Sequence, residues 1–165
     1  MIEIIQARTA AQIEAARVLF REYEAWLGIA LCFQNFDEEV AALPGKYAPP
    51  DGRLFLAVDG DVVVAGCIAL RRLADGVCEM KRLYVRERFR GGGVGRLLIE
   101  KLIDEATKIG YCKMRLDTFP PKMGRAVALY ESYGFREIPA YYDNPYGETL
   151  YLEKILASGR SVEEV

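Results

Sequence analysis

Leu83-Tyr84-Val85-Arg86-Glu87-Arg88-Phe89-Arg90-Gly91-Gly92-Gly93-Val94-Gly95-Arg96 decides how this chain is read. The first three residues close an apolar strand pattern that begins at Val77. Arg86 to Gly95 is a basic, glycine-rich loop. The pattern that follows is helical: Val94, Leu98, Leu102, Ala106 and Ile109 share one face, widened by Ile99 and Ile103, and Gly110 ends it. Glycines between a strand and a helix N-terminus let several backbone N–H groups turn toward one point, where the helix dipole favours an anion. Arg88, Arg90 and Arg96 add mobile positive charge. A pyrophosphate suits that chemistry. The spacing is not that of a P-loop, because Gly95 is followed by Arg96-Leu97, nor does any register across the four glycines give G-x-G-x-x-G. The alternative is a flexible basic loop that binds nothing.

Outward from this segment the chain reads as one α/β domain with a mixed sheet. Ile2 to Ala7 is a strand. Thr9 caps a helix reaching about Leu27, with Ile13, Ala16, Leu19, Phe20 and Tyr23 at helical spacing, and Gly28 stops it. Residues 30–50 carry loop chemistry, with a helical turn over Phe36 to Val40. Leu54 to Val58 and Val62 to Leu73 are strands joined by an Asp59-Gly60-Asp61 hairpin. Asp75-Gly76 leads into Val77 to Val85, so three antiparallel strands are expected in succession. Cys112 to Thr118 is a strand reached from the helix by a βαβ crossover. Phe119-Pro120-Pro121 breaks the chain, a short helix covers Met123 to Tyr133, and Glu148 to Lys154 is the last strand. Residues 1–157 form the expected domain, with 158–165 a frayed tail.

Composition excludes much. The chain has 165 residues, 52% of them hydrophobic and 28% charged, and a formal charge of −2, a globular balance with no global case for nucleic acid. It has no histidine, which removes Ser-His-Asp catalysis, imidazole shuttles and His-ligated zinc. Cys32, Cys67, Cys78 and Cys112 form no C-x-x-C pair, so neither a metal nor a disulfide is expected and the thiols fit a cytoplasmic protein. No signal-peptide pattern or membrane-length apolar run is visible.

Arg90-Gly91-Gly92-Gly93-Val94-Gly95 resembles the R/Q-x-x-G-x-G/A signature of the GCN5-related N-acetyltransferases (GNAT). The likeness extends through Leu83-Tyr84-Val85, the following helix, Met114-Arg115-Leu116-Asp117, and Ala128-Leu129-Tyr130-Glu131-Ser132-Tyr133-Gly134-Phe135, the last with slightly altered spacing. The resemblance implies a central mixed sheet flanked by helices, with acetyl-CoA as donor and an amine as acceptor. It implies that an acyl-pantetheine arm lies along Leu83, Tyr84 and Val85, where strand four splays from strand five. A backbone N–H of Leu83 or Tyr84 would face the thioester oxygen. The pyrophosphate would rest on Arg90, Gly91, Gly92, Gly93, Val94, Gly95 and Arg96.

Acyl transfer to an amine needs a base, an oxyanion donor and a proton for the thiolate. By resemblance Tyr130 lies near the sulfur as the acid, the alternative being a packing tyrosine; Tyr133 is expected in the core. Glu79 stands where the histone-acetylating branch has its base, the alternative being an exposed glutamate paired with Lys81 or Arg82. Asp117 is a second base candidate or a turn cap, and solvent a third. Tyr23, Trp26, Phe33, Phe36, Tyr141, Tyr142 and Asn144 are acceptor-pocket candidates, and Glu38, Glu39 and Asp143 are either charges for a cationic amine or solvated surface. The expected activity is acetylation of a small-molecule primary amine. A protein or peptide acetyltransferase and a non-catalytic acyl-CoA-binding module are the alternatives. A homodimer is left open.

Overall fold

The computed structural model describes residues 1–31, 34–60 and 62–156. In chain order they form β1 (Ile2–Gln6), α1 (Ala10–Leu27), α2 (Phe36–Ala41), β2 (Arg53–Asp59), β3 (Val63–Ala74), β4 (Val77–Val85), α3 (Val94–Ile109), β5 (Lys113–Thr118), α4 (Pro120–Ser132), β6 (Arg136–Ile138) and β7 (Leu150–Ile155). The strands make one mixed sheet, ordered β1-β2-β3-β4-β5-β7-β6. β1 with β2 and β2 with β3 pair antiparallel. β4 and β5 pair in parallel over Val77–Glu79 and Lys113–Arg115, as a crossover through α3 requires. Asp61 of the first hairpin, Cys32, Phe33 and the 158–165 tail lie outside the described residues.

The local signals explain most of these elements. Thr9 Oγ1 accepts from the N–H of Gln12 at 3.1 Å, and the Gln12 side chain accepts from the N–H of Thr9 at 3.0 Å, which closes a capping box on α1. Gly28 ends α1 at φ 74°, with its N–H on the Glu24 carbonyl. The apolar face of α3 is fully buried at Leu98, Ile99, Leu102 and Ala106, each large side chain worth roughly 1.5–3 kcal/mol on leaving water.

Two readings differ from the structure. Pro120 and Pro121 form the first turn of α4, since proline lacks a donor that turn does not use and its φ is already helical; α4 then kinks at Met123 (φ −121°, ψ 32°), the residue where the short helix was expected to begin. α3 starts at Val94, the first residue of the expected helical face. β6 was not anticipated: it is three residues long, with exposed Arg136 and Glu137, so no two-residue apolar period announces it.

By their contacts the described residues fall into two compact units. The first holds Met1–Arg71 with Met80–Leu102, the second Arg72–Glu79 with the described residues from Ile103 onward. In the first, the register of β2 on β3 steps from Ala57↔Gly66 to Val58↔Val64, leaving Ala65 as a bulge. A Cβ on Gly66 would lie 2.5 Å from the Tyr84 carbonyl oxygen and 3.2 Å from the Val85 Cα. Gly66→Ala is therefore expected to cost about 1–3 kcal/mol through forced backbone shifts. It should appear as a lower urea midpoint at unchanged slope; an unchanged midpoint would mean the strands are not held this close.

Candidate active site

In the first unit Glu87–Phe89 make a 3-10 turn, after which Gly91 and Gly93 both take φ 85°. That left-handed backbone is open to glycine at little cost. The turn brings exposed Gly91, Gly92 and Gly93 to the start of the 16-residue α3. The first helical bond runs from the Leu97 N–H to the Gly93 carbonyl at 3.1 Å, and the N–H groups that open a helix have no intrahelical acceptor. The segment thus fits a pyrophosphate on backbone donors. Arg90 does not project as a mobile charge. Its Nε donates to the Val85 carbonyl at 2.8 Å, and its guanidinium lies 5.0 Å from the Trp26 ring centroid and 5.8 Å from that of Tyr84.

β4 carries the main irregularity of this unit. Arg82 sits at φ 61° within the strand, a conformation costing about 1–3 kcal/mol for a non-glycine residue unless its surroundings hold it. Here they do. Arg82 Nε and NH2 donate to the two Glu39 carboxylate oxygens, both at 2.9 Å, and the guanidinium lies over the Phe36 ring at 4.9 Å. The buried Cys67 thiol donates to the Arg82 carbonyl at 3.3 Å, and burial pushes that thiol far up, so it stays protonated. Arg86 forms a second fork, with Nε 3.0 Å and NH2 2.6 Å from the Glu22 carboxylate of α1. Glu39 and Phe36 thus both hold the Arg82 guanidinium. Tyr23 is buried edge-on to Tyr84.

In the second unit Glu79 is 1% exposed, which overturns its reading as a surface residue, and the Arg82 that was to pair with it is taken by Glu39. The Tyr141 hydroxyl donates to Glu79 Oε2 at 2.6 Å. The next residue repeats the arrangement, with the Tyr142 hydroxyl 2.8 Å from Asp117 Oδ2 and Asn144 Nδ2 donating to the Tyr142 oxygen at 3.0 Å. Asp117 is a β5 residue on this network. Burial first, and then the facing carboxylates, push the Tyr141 and Tyr142 phenols well above their ordinary range. Arg115 Nε donates to Glu153 at 2.8 Å, and its guanidinium lies over the Tyr141 ring. A cavity of about 410 Å³ opens beside Tyr142, lined also by Glu137, Asp143, Asn144, Tyr146 and Tyr151. Tyr130 is 5% exposed, its ring edge-on to Phe135 with centroids 5.8 Å apart. Tyr133 is only half-buried, and Phe135 takes the core position expected of it. Among the described residues no group of three or more Cys, Asp and Glu is set to hold a metal ion, and no helix is long and apolar enough to cross a membrane.

Residues 14–135 match the family model for the acetyltransferase (GNAT) family. The chain is 38% identical over 152 residues to an uncharacterized N-acetyltransferase of Schizosaccharomyces pombe, covering 92% of this chain and 93% of that protein. It is 36% identical over 123 residues to N-acetylaspartate synthetase of Homo sapiens, covering 72% of this chain and 39% of that one. A GNAT-family acetyltransferase from Staphylococcus aureus shares the fold, with a TM-score of 0.78 at 21% identity over 94% of this chain and 99% of that one. A strand, glycine loop and helix of this form, in a mixed sheet with this strand order, define an acetyltransferase fold. The chain belongs to the GNAT family of acetyltransferases.

Proposed function

We propose that the protein moves an acetyl group from acetyl-CoA to the primary amine of a small molecule by direct attack. The observation that carries the reading is the glycine segment, whose two left-handed glycines present backbone donors at the start of α3. Bound acetyl-CoA supplies the activated acetyl thioester. The N–H groups of residues 91–96 hold its pyrophosphate, and the Leu83–Val85 backbone holds its arm. A Leu83 or Tyr84 N–H donates to the thioester oxygen. In the second unit Glu79 takes the proton of the acceptor nitrogen, and the Tyr130 hydroxyl gives a proton to the departing sulfur.

Two observations support a small acceptor. The cavity beside Tyr142 has the volume of a small-molecule site, and the relative named N-acetylaspartate synthetase acts, by that name, on a small amine. Asp143 and Glu137 on the cavity lining suit a cationic acceptor. Thiol release from acetyl-CoA, screened over polyamines, amino acids, aminoglycosides and peptide N-termini, tests the reading. Turnover with peptides alone would replace it with a protein acetyltransferase, and binding without turnover on any amine would leave a binding module.

The pyrophosphate placement has its own test. Gly93→Val puts a branched side chain at φ 85°, a backbone such residues avoid. CoA affinity measured by calorimetry should fall at least about tenfold, equivalent to 1.4 kcal/mol, in a protein that still melts cooperatively. Unchanged affinity would move the pyrophosphate elsewhere.

A further inference from the structure

We propose that Tyr141 is a catalytic relay: its hydroxyl carries the proton of the acceptor ammonium to Glu79. The proposal rests on the reading of Glu79 as the base. Glu79 is 1% exposed, so an amine arriving from solvent does not meet its carboxylate directly. The Tyr141 hydroxyl stands against that carboxylate, donating to Oε2 at 2.6 Å, the length of a charge-assisted O–H···O⁻ bond. Tyr141 itself is only partly buried. A phenol oxygen that donates one bond can still accept another, which suits it to stand between an N–H and a buried carboxylate.

The surroundings keep this phenol neutral. Burial, then the charge of Glu79, hold it protonated at all working pH values, so it hands on a proton only as it receives one. The Arg115 guanidinium lies 5.5 Å from its ring centroid and is paired with Glu153. Asp117 accepts from Tyr142, and the Tyr142 and Tyr151 rings stand edge-on to it at 5.5 and 5.3 Å. In the step one N–H bond of the ammonium breaks as a bond to Tyr141 Oη forms. The original Tyr141 O–H breaks as a bond to Glu79 Oε2 forms. The phenol is unchanged, Glu79 becomes a carboxylic acid, and the amine is left neutral with its electron pair free to attack. After product leaves, the acid returns its proton to water by the reverse path.

The test uses two probe acceptors with acetyl-CoA and the full chain: benzylamine, protonated near pH 7, and hydroxylamine, largely neutral there. Tyr141→Phe and Glu79→Gln should each lower kcat/KM for benzylamine by about 10²–10⁴-fold, the usual worth of acid–base catalysis. Both deficits should shrink as pH approaches the amine's own pKa, and both variants should treat hydroxylamine nearly as the parent does. The double variant should be no slower than Glu79→Gln alone, because the two act as a unit. If Glu79→Gln loses benzylamine turnover while Tyr141→Phe keeps it, the base stands and the relay is overturned. If neither loses it, the base reading fails as well. An equal loss on both probes in a folded Tyr141→Phe protein marks a structural role and also overturns the relay.

Discussion

Tyr130→Phe is expected to lower kcat by about 10²–10⁴-fold, or roughly 3–5 kcal/mol of barrier, if the hydroxyl protonates the leaving sulfur. The substitution keeps the ring, and with it the edge-on contact to Phe135 at 5.8 Å. Stability should therefore change by no more than the 0.5–1.5 kcal/mol or so that one hydrogen bond is worth. Binding of CoA should change little, because the interaction strengthens only as charge develops on sulfur. Single-turnover thiol release, which isolates chemistry from product release, is the deciding measurement. A near-normal single-turnover rate would make Tyr130 a packing residue and leave the thiolate to depart unassisted.

Glu39→Gln should strongly destabilise the first unit. It leaves the Arg82 guanidinium, whose side chain is 3% exposed, without its counter-charge, and breaking a buried pair from one side costs about 3–5 kcal/mol. It also releases the side-chain tether that holds Arg82 in its left-handed conformation. The pH dependence follows from the same pair. Burial works against the Glu39 carboxylate, but the Arg82 guanidinium more than offsets it, so the group lies below its ordinary value of 4.5 when folded. A carboxylate depressed in the folded state leaves the unfolded chain binding more protons, so stability rises with pH through the acid range. The contribution of Glu39 is complete above about 4.5 and fades as pH falls through the lower folded value. Urea midpoints taken from pH 7 downward should drop in the parent and flatten in Glu39→Gln. Equal acid slopes would show that the pair contributes nothing.

What the chain states locally was legible. The N-cap at Thr9, the glycine stop at Gly28, the α3 stripe and the glycine segment each depend on residues within a few positions of one another. Backbone geometry and side-chain period act at that range, so their order along the chain was enough to recognise the family. The misreadings at Pro120 and at β6 are also local: a Pro-Pro pair stops one element and starts another with the same residues, and three edge residues carry no period.

The chemistry around the candidate base was not legible. Glu79 and Tyr141 lie 62 residues apart, Arg82 and Glu39 lie 43 apart, and no spacing rule relates either pair. In sequence Glu79 is one more charge on a strand with Lys81 and Arg82 close by. In the fold, Arg82 turns left-handed toward α2, and the chain between β6 and β7 lays Tyr141 and Tyr142 on Glu79 and Asp117. The sequence alone determined that this is an α/β chain with an acetyltransferase signature. Tertiary structure decided which carboxylates are ionic partners and which are covered by phenols. Burial and hydrogen bonding set the behaviour of a titratable group, and both come into being only when distant segments meet.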